Sequence, residues 1–197
     1  MRFIIATRNG HKVTEFRRIL EPLGIEVLSQ TEAGIDADVV EDGTTFSENA
    51  EKKASAVCKA ENCIAIADDS GICIDAFDGA PGIYSSRFLG EDTPYTEKNA
   101  IILDRLKDVE KKDRGAHYVC SICCIFPNGD TIKTEGIFEG WIGYEAKGDH
   151  GFGYDPIFYV GDKSISEIPD DEKDKMSHRG QALRKFVDEL KKYLDKQ

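Results

Sequence analysis

Residues 64–71 form a short apolar run that ends on two adjacent carboxylates, a hydroxyl and a glycine. The run from Ile64 to Ala67 is short and follows polar residues, a pattern typical of a buried β-strand. We therefore expect Asp68 and Asp69 at the end of this strand, where α/β proteins bind ligands. Adjacent carboxylates repel each other unless a cation, most obviously a divalent metal, or a shared proton stabilises them. The alternative is an Asp-Asp-Ser-Gly turn that caps its own backbone.

The composition limits what this acidic segment can belong to. The chain has 197 residues, of which 40% are hydrophobic and 32% charged, enough for one well-buried domain. No stretch of eighteen apolar residues occurs, so we expect a soluble protein without a membrane span, and residues 2–7 read as a first strand rather than a signal peptide. The net charge of -11 argues against binding to nucleic-acid polymers or anionic membranes. A small anion remains possible as a ligand.

The six cysteines are expected to be reduced and buried, because no secretory signal accompanies them. Cys120 and Cys123 form a C-x-x-C pattern inside the strand-like run 118–126. A spacing of three places their side chains on opposite faces of a strand, which argues against a shared metal or a redox pair.

The first strand is followed by a polar loop, residues 7–12, and then by a helix that Gly24 ends. A strand, a polar loop and a helix N-terminus together make an anion site, because free N–H groups and the helix dipole favour negative charge. The P-loop spacing is missing, so a phosphate would be held by Thr7, Asn9 and Lys12. The alternative is an ordinary helix cap with a solvated lysine.

A second helix is predicted from Thr45 to about Asn62, because Thr45 and Glu48 have the spacing of a capping box. Glu41 lies just before this helix and is a candidate second carboxylate for a metal. It could equally be a partner of the helix dipole, and Lys53 on the helix is ambiguous in the same way.

The second half of the chain mixes helical and strand patterns. A third helix is predicted to start at Thr93-Pro94, with Thr93 as the cap and Pro94 in the first turn, and Asn128-Gly129 between strands 116–126 and 131–142 indicates a hairpin. We therefore expect one mixed sheet with helices on its faces. The turn-rich segment 79–87 is a candidate lid over a site.

Two further segments have the character of binding sites. Residues 148–158 interleave glycines with aromatic residues, so Phe152 or Tyr154 could stack on a flat ring, or the segment is a tight loop with two core aromatics. Ser177 is a natural N-cap, which places His178 and Arg179 at a helix N-terminus that would suit an anion or a carbonyl oxygen. Lys173 by itself reads as a solvated surface charge.

Six segments occur in an order that is similar to one known family. They are Thr7-x-Asn9-x-x-Lys12, Glu41-x-Gly43-x-Thr45-Phe46-x-Glu48-Asn49-Ala50, Asp68-Asp69-Ser70-Gly71, Pro81-Gly82-Ile83-Tyr84-Ser85, Gly151-Phe152-Gly153-Tyr154-Asp155-Pro156 and Ser177-His178-Arg179-Gly180. The chain resembles the inosine/xanthosine triphosphate pyrophosphatase family over nearly its whole length.

The resemblance implies an α/β fold, with an elongated mixed sheet flanked by helices and an active-site cleft between two lobes. It implies that residues 1–197 form one two-lobed domain, usually a homodimer, in the cytoplasm. The implied activity is the Mg²⁺-dependent hydrolysis of ITP, dITP and XTP to the monophosphate and pyrophosphate. Alternatives are a related pyrophosphatase for modified pyrimidine or methylated nucleotides, and a nucleotide sensor that does not hydrolyse its ligand.

The resemblance also implies site residues. Asp69 is the implied base, and Glu41 and Asp69 are the implied metal ligands, although a carboxylate bound to magnesium is a poor free base. Asp69 would then orient an activated water, or Asp68 would share the roles. The implied substrate contacts are Thr7, Arg8, Asn9, Gly10, His11, Lys12, Ser70, Phe152, Gly153, Tyr154, Asp155, Lys173, His178 and Arg179. Donors from His178 and Arg179 would select the 6-oxygen of hypoxanthine or xanthine over the amino group of adenine.

Overall fold

The structure is a computed structural model that describes residues 1–37 and 39–196. Within these residues, seven strands form one mixed sheet in the order β2-β1-β3-β4-β5-β6-β7. The strand β1 pairs in parallel with β2 and β3, whereas β6 pairs antiparallel with β5 and β7. The strands are β1 (Arg2–Ile5), β2 (Glu26–Ser29), β3 (Ala65–Ile74), β4 (Gly115–Ile125), β5 (Thr131–Ile142), β6 (Phe158–Val160) and β7 (Lys163–Ser164). The predicted mixed α/β fold is confirmed.

Five α-helices accompany the sheet within the described part of the chain: α1 (Gly10–Leu20), α2 (Phe46–Glu61), α3 (Tyr95–Arg105), α4 (Asp170–Met176) and α5 (His178–Leu194). The cap predicted for α2 is present, because the Thr45 side chain accepts a hydrogen bond from the Glu48 backbone N–H at 3.1 Å. The Glu48 carboxylate accepts a hydrogen bond from the backbone N–H of Thr44 at 2.7 Å. Helix α1 begins inside the predicted loop, because Asn9 is its N-cap.

The strand that carries the acidic pair is longer than predicted. It continues from Ala65 through the two acids to Ile74, so Asp68 and Asp69 lie within β3 and not at its end. The prediction of a strand end is wrong, and so is the alternative of a turn. The apolar residues after the acids, Ile72 and Ile74, are fully buried, which keeps the strand in the sheet, and nearby cations compensate the charge of the carboxylates.

The sequence patterns also missed three short elements: β6, β7 and α4. Strands of two or three residues are too short for a period to be read, and α4 has a nearly all-polar sequence with no apolar stripe.

The chain divides into two compact units. The first comprises Met1–Asp69, Cys120–Gly136 and His178–Gln197, and the second comprises Ser70–Val119 and Ile137–Ser177. One core of the first unit is built around Phe3, Phe16, Ile66, Leu183 and Phe186, and another around Ile4, Ala50, Ala54, Val57 and Ala65. The core of the second unit is built around Ile72, Ile102, Tyr118, Phe138 and Phe158.

All six cysteines are free thiols, and four of them are buried. Cys120 packs in one core of the first unit and Cys123 in the other, so the predicted placement on opposite faces of the strand is confirmed. Burial raises the pKa of Cys123 to about 12, so its side chain behaves as a small apolar group. None of the helices in the described residues has the length and apolar character needed to cross a membrane.

Candidate active site

The buried carboxylate of Asp68 in β3 is surrounded by cations. Its Oδ2 atom lies 2.8 Å from Arg179 Nη2, 3.2 Å from Arg179 Nε and 3.1 Å from Lys12 Nζ. Burial alone would raise the pKa of Asp68, but the positive charges of Arg179, Lys12 and Lys53 outweigh it and hold the pKa well below its usual range. Asp68 is therefore ionised, and its Oδ1 atom has no hydrogen-bond partner among the described residues.

Asp69 has a separate set of partners. Its Oδ1 atom lies 2.8 Å from the ammonium of Lys53, and its Oδ2 atom accepts a hydrogen bond from Asn49 Nδ2 at 3.3 Å. The same ammonium lies 3.2 Å from Glu41 Oε2. Glu41 and Asp69, the two predicted metal ligands, therefore converge on one positive charge supplied by the chain itself.

Burial and neighbouring charges determine the protonation of Asp69 and Lys53. Burial raises the pKa of Asp69, the nearby charge of Glu41 adds to this, and Lys53 and Lys12 oppose it. Burial by itself would lower the pKa of Lys53. The negative charges of Asp69, Asp68 and Glu41 outweigh this effect and raise the pKa above its usual value. Lys53 therefore stays cationic, while Asp69 is more basic than an exposed aspartate. A carboxylate of raised basicity is suited to accepting a proton from water.

Asn49 connects the acidic group to the loop that carries Glu41. The Asn49 side-chain oxygen accepts a hydrogen bond from the Gly43 backbone N–H at 2.9 Å, while its amide nitrogen donates to Asp69. A Cβ atom at Gly43 would lie 2.6 Å from that oxygen, so only glycine allows this approach. Asn49 and Gly43 are part of a recognised sequence segment, but the sequence did not indicate their roles.

Arg179 and Lys12, both predicted to contact substrate, bind carboxylates of the chain. Arg179 is 2% exposed, and its guanidinium joins Asp68 to the buried Glu15 of α1. Base recognition by His178 and Arg179 stays a prediction, while the described contacts of Arg179 give it a positioning function. Glu15 has no local sequence signal, because an acid one helical turn after a lysine is ordinary.

The polar loop before α1 forms a helix cap, as the alternative interpretation held, and Asn9 is the N-cap. Asn9 Oδ1 accepts hydrogen bonds from the backbone N–H groups of His11 and Lys12 at 3.0 and 3.4 Å, and Thr7 Oγ1 accepts one from Asn9 N at 3.2 Å. Arg8 pairs with Asp36 on the surface at 2.7 Å. The Lys12 ammonium is directed to Asp68, so the alternative of a solvated lysine is wrong.

The second unit contains the glycine and aromatic segment. Asp155 Oδ2 accepts hydrogen bonds from the Phe152 backbone N–H at 2.9 Å and from Lys173 Nζ at 2.7 Å. The Lys173 ammonium also lies 5.1 Å from the centroid of the Phe152 ring. Lys173 is 2% exposed, so its interpretation as a solvated surface charge is wrong.

The two aromatic residues of this segment have different environments. Tyr154 is buried, its hydroxyl donates to the Ser85 carbonyl at 2.7 Å, and its ring packs edge-on against Tyr95 at 5.1 Å. Phe152 is only partly buried. Phe152 is therefore the better candidate for stacking on a base. Ser85 Oγ accepts from the Ile72 backbone N–H at 2.9 Å, which ties the segment predicted as a lid to β3.

The structure groups the predicted site residues by unit. Those in the first unit are Thr7, Arg8, Asn9, Gly10, His11, Lys12, Glu41, Asp69, His178 and Arg179, and those in the second are Ser70, Phe152, Gly153, Tyr154, Asp155 and Lys173. Lys53, which the sequence left ambiguous, and Asn49, which it did not single out, join the first group.

The sequence of the chain is similar to those of one known protein family. The sequence model of the Ham1 family matches residues 3–189. The chain belongs to the Ham1 family. It is 47% identical to a dITP/XTP pyrophosphatase of Bacillus subtilis over 185 residues, which cover 93% of each chain. It is 43% identical to one of Clostridium perfringens, over 96% of this chain and 97% of the relative.

Solved structures of Ham1 proteins have the same fold. The Ham1 protein of Coxiella burnetii superposes with a TM-score of 0.87 at 37% identity, over 98% of this chain and 99% of that one. The Ham1 protein of Staphylococcus aureus superposes with a TM-score of 0.86 at 36% identity, over 98% and 100% of the two chains. The family predicted from the six ordered segments is therefore confirmed.

Proposed function

We propose that this Ham1 family chain hydrolyses ITP, dITP and XTP to the nucleoside monophosphate and pyrophosphate. The observation that carries the proposal is the convergence of two carboxylates, the buried Asp69 and Glu41, on the ammonium of Lys53, at 2.8 and 3.2 Å. The names of the relatives, dITP/XTP pyrophosphatase, support the substrate class. A protein that only bound a polyphosphate would gain nothing from carboxylates that repel it.

Magnesium is the proposed cofactor, and Glu41 and Asp69 are its candidate ligands. Glu41 would hold the metal while Asp69 acts as the base, because a carboxylate bound to magnesium is a poor free base. Hard carboxylate oxygens suit Mg²⁺, which is often bound by one or two carboxylates together with substrate phosphates. Among residues 1–37 and 39–196, no three histidine, cysteine or acidic side chains gather into a complete metal site, so the substrate would have to complete the ligand set. When bound, Mg²⁺ would supply positive charge to the triphosphate and polarise its oxygens.

The residues of the chain then have distinct roles in the proposed reaction. Asp69 accepts a proton from the water that attacks the α-phosphorus, and the bond between the α-phosphorus and the bridging oxygen breaks. Lys53 and Lys12 stabilise the charge that develops on the departing pyrophosphate. Arg179 holds Asp68, which keeps Lys12 in place. In the second unit, Phe152 stacks on the base. Asp155 binds the Phe152 backbone N–H and the Lys173 ammonium, and these contacts fix the loop that carries Phe152.

Three broader features belong to the same proposal. Residues 1–197 act as one two-lobed catalytic domain. The protein works as a homodimer in the cytoplasm, with no nucleic-acid polymer or membrane as partner. The family resemblance supports the dimer and the compartment, and light scattering on the purified protein tests the dimer.

The function is tested by measuring pyrophosphate release from ITP, XTP, dITP, ATP, GTP and m7GTP, with Mg²⁺ and with excess EDTA. We expect turnover of the first three only and no turnover in EDTA. A preference for a methylated or a modified pyrimidine nucleotide would replace the proposed substrate class. Binding of ITP without any pyrophosphate release would identify a sensor instead of an enzyme.

A further inference from the structure

Tyr118 is a buried tyrosine of β4 that the mechanism above does not use. Its ring packs in the core of the second unit against Phe158, with 4.7 Å between the ring centroids. Its hydroxyl donates a hydrogen bond to Asp155 Oδ1 at 3.1 Å. Nothing in the sequence distinguished this residue from the other apolar positions of the strand.

The carboxylate of Asp155 connects Tyr118 to the segment proposed to bind the base. While Oδ1 accepts from Tyr118, Oδ2 accepts from the Phe152 backbone N–H and from the Lys173 ammonium. Asp155 is 3% exposed, so these contacts replace water. A Cβ atom at Gly151 would lie 2.2 Å from Oδ2, which shows how closely the loop encloses the carboxylate. The orientation of this carboxylate therefore helps to fix the backbone of Phe152.

We infer that Tyr118 is a positioning residue for base recognition, whose hydroxyl fixes Asp155 and through it the backbone of Phe152 and the ammonium of Lys173. This inference rests on the proposed function and assigns one more residue to it. Tyr118 acts through Asp155 and needs no contact with the nucleotide.

In the hydrogen bond between Tyr118 and Asp155, the tyrosine is the donor and the carboxylate is the acceptor. Burial raises the pKa of the Tyr118 hydroxyl well above its usual value, and the neighbouring Asp155 carboxylate adds to this effect. The hydroxyl therefore keeps its proton and can only donate to the carboxylate. Without this donor, Oδ1 would be buried with its hydrogen bond lost, and the carboxylate would turn towards its remaining partners.

The inference is tested with Tyr118→Phe, which removes the hydroxyl and keeps the ring. A hydrogen bond to a charged group typically changes an equilibrium by about tenfold or more. We expect KM for ITP and the inhibition constant of IMP to rise about tenfold, with kcat within about twofold, because base binding is the same in the ground and transition states. The inhibition constant of inorganic tripolyphosphate, which has no base, should not change.

Tyr159→Phe is the matched control. Tyr159 is also buried in the second unit, and its hydroxyl donates one hydrogen bond of similar length, 3.0 Å, to the Glu145 carbonyl. Its removal should leave KM and both inhibition constants unchanged. A double-mutant cycle with Asp155→Ala adds a second test, since Tyr118→Phe should raise KM no further once the acceptor of its hydrogen bond has been removed.

The inference is overturned if Tyr118→Phe behaves like Tyr159→Phe, or if IMP and tripolyphosphate lose affinity equally, which would indicate general loosening of the fold. Failure of the proposed function has a different signature, because the wild-type protein would then release no pyrophosphate from ITP, dITP or XTP. In that case calorimetry of IMP binding to the two tyrosine variants decides the role of Tyr118.

Discussion

Replacing Arg179 by methionine would remove the cation that joins two buried carboxylates of the first unit. The guanidinium binds Asp68 at 2.8 Å and also binds Glu15, and the side chains of Arg179 and Asp68 are 2% and 0% exposed. Methionine has a similar length but no charge and no donor. The variant therefore leaves Asp68 with Lys12 as its one remaining cation within 4 Å among the described residues.

The expected loss is large because solvent does not screen these charges. Removing one partner of a buried ion pair typically destabilises a protein by about 3–5 kcal/mol. For a chain of this length, each kcal/mol lowers Tm by about 2–4 °C, so Tm should fall by about 6–20 °C. Because the folded-state pKa of Asp68 is depressed, its stabilising effect is complete above the unfolded pKa of about 3.9 and is lost as the pH falls below it. The difference in free energy of unfolding between the wild-type protein and Arg179→Met, called the deficit of the variant below, should therefore become smaller towards pH 4 and below.

The assay is urea unfolding from pH 7 to pH 3.5 in EDTA, so that the cations acting on Asp68 are those of the chain. Arg114→Met is the matched control, because Arg114 is also fully buried but donates to the backbone carbonyls of Leu106, Ile142 and Gly143. Carbonyl groups do not titrate, so the deficit of the control should be independent of pH.

A deficit of Arg179→Met below about 1 kcal/mol, or one that does not change with pH, would refute the ion-pair argument. The same variant decides the role predicted for Arg179 in base recognition. If that role is real, the ratio of kcat/KM for ITP to that for ATP falls. An equal loss with both substrates leaves Arg179 with the positioning function alone.

Three further predictions concern the first unit. Asp69→Asn should abolish turnover but leave ITP binding measurable by calorimetry. General-base catalysis alone contributes ~100-fold or more, so a rate above about a tenth of wild type would exclude Asp69 as the proposed base. Lys12→Ala should weaken ITP binding more than IMP binding, and equal losses by calorimetry would move Lys12 away from the phosphates. Gly136→Ala should lower the free energy of unfolding by about 1–3 kcal/mol, because its Cβ would lie 2.1 Å from the His178 carbonyl oxygen. Gly10→Ala, which meets open space, is the comparison, and similar losses in both variants would contradict the clash.

The main helices and strands could be predicted because their signals are local. Thr45 and Glu48 are three residues apart, and their cap forms as predicted. The hairpin at Asn128-Gly129 and the three helices α1, α2 and α3 also follow from periodicity and turn residues, and the family follows from the order of six segments. The end of β3 was predicted wrongly because adjacent acids favour a turn locally, whereas distant cations allow them to remain in a strand.

The partners of the charged residues were decided only by the tertiary structure. The sequence identified Asp68, Asp69, Lys12 and Arg179 as candidates but did not show which charges would meet. Arg179 pairs with Asp68 across 111 positions of the chain and with Glu15 across 164. Local patterns act over a few residues, but a buried charge is stabilised by whichever cation the fold brings within about 3–4 Å. For this reason the sequence determined the candidate residues, and the packed structure determined which of them act together.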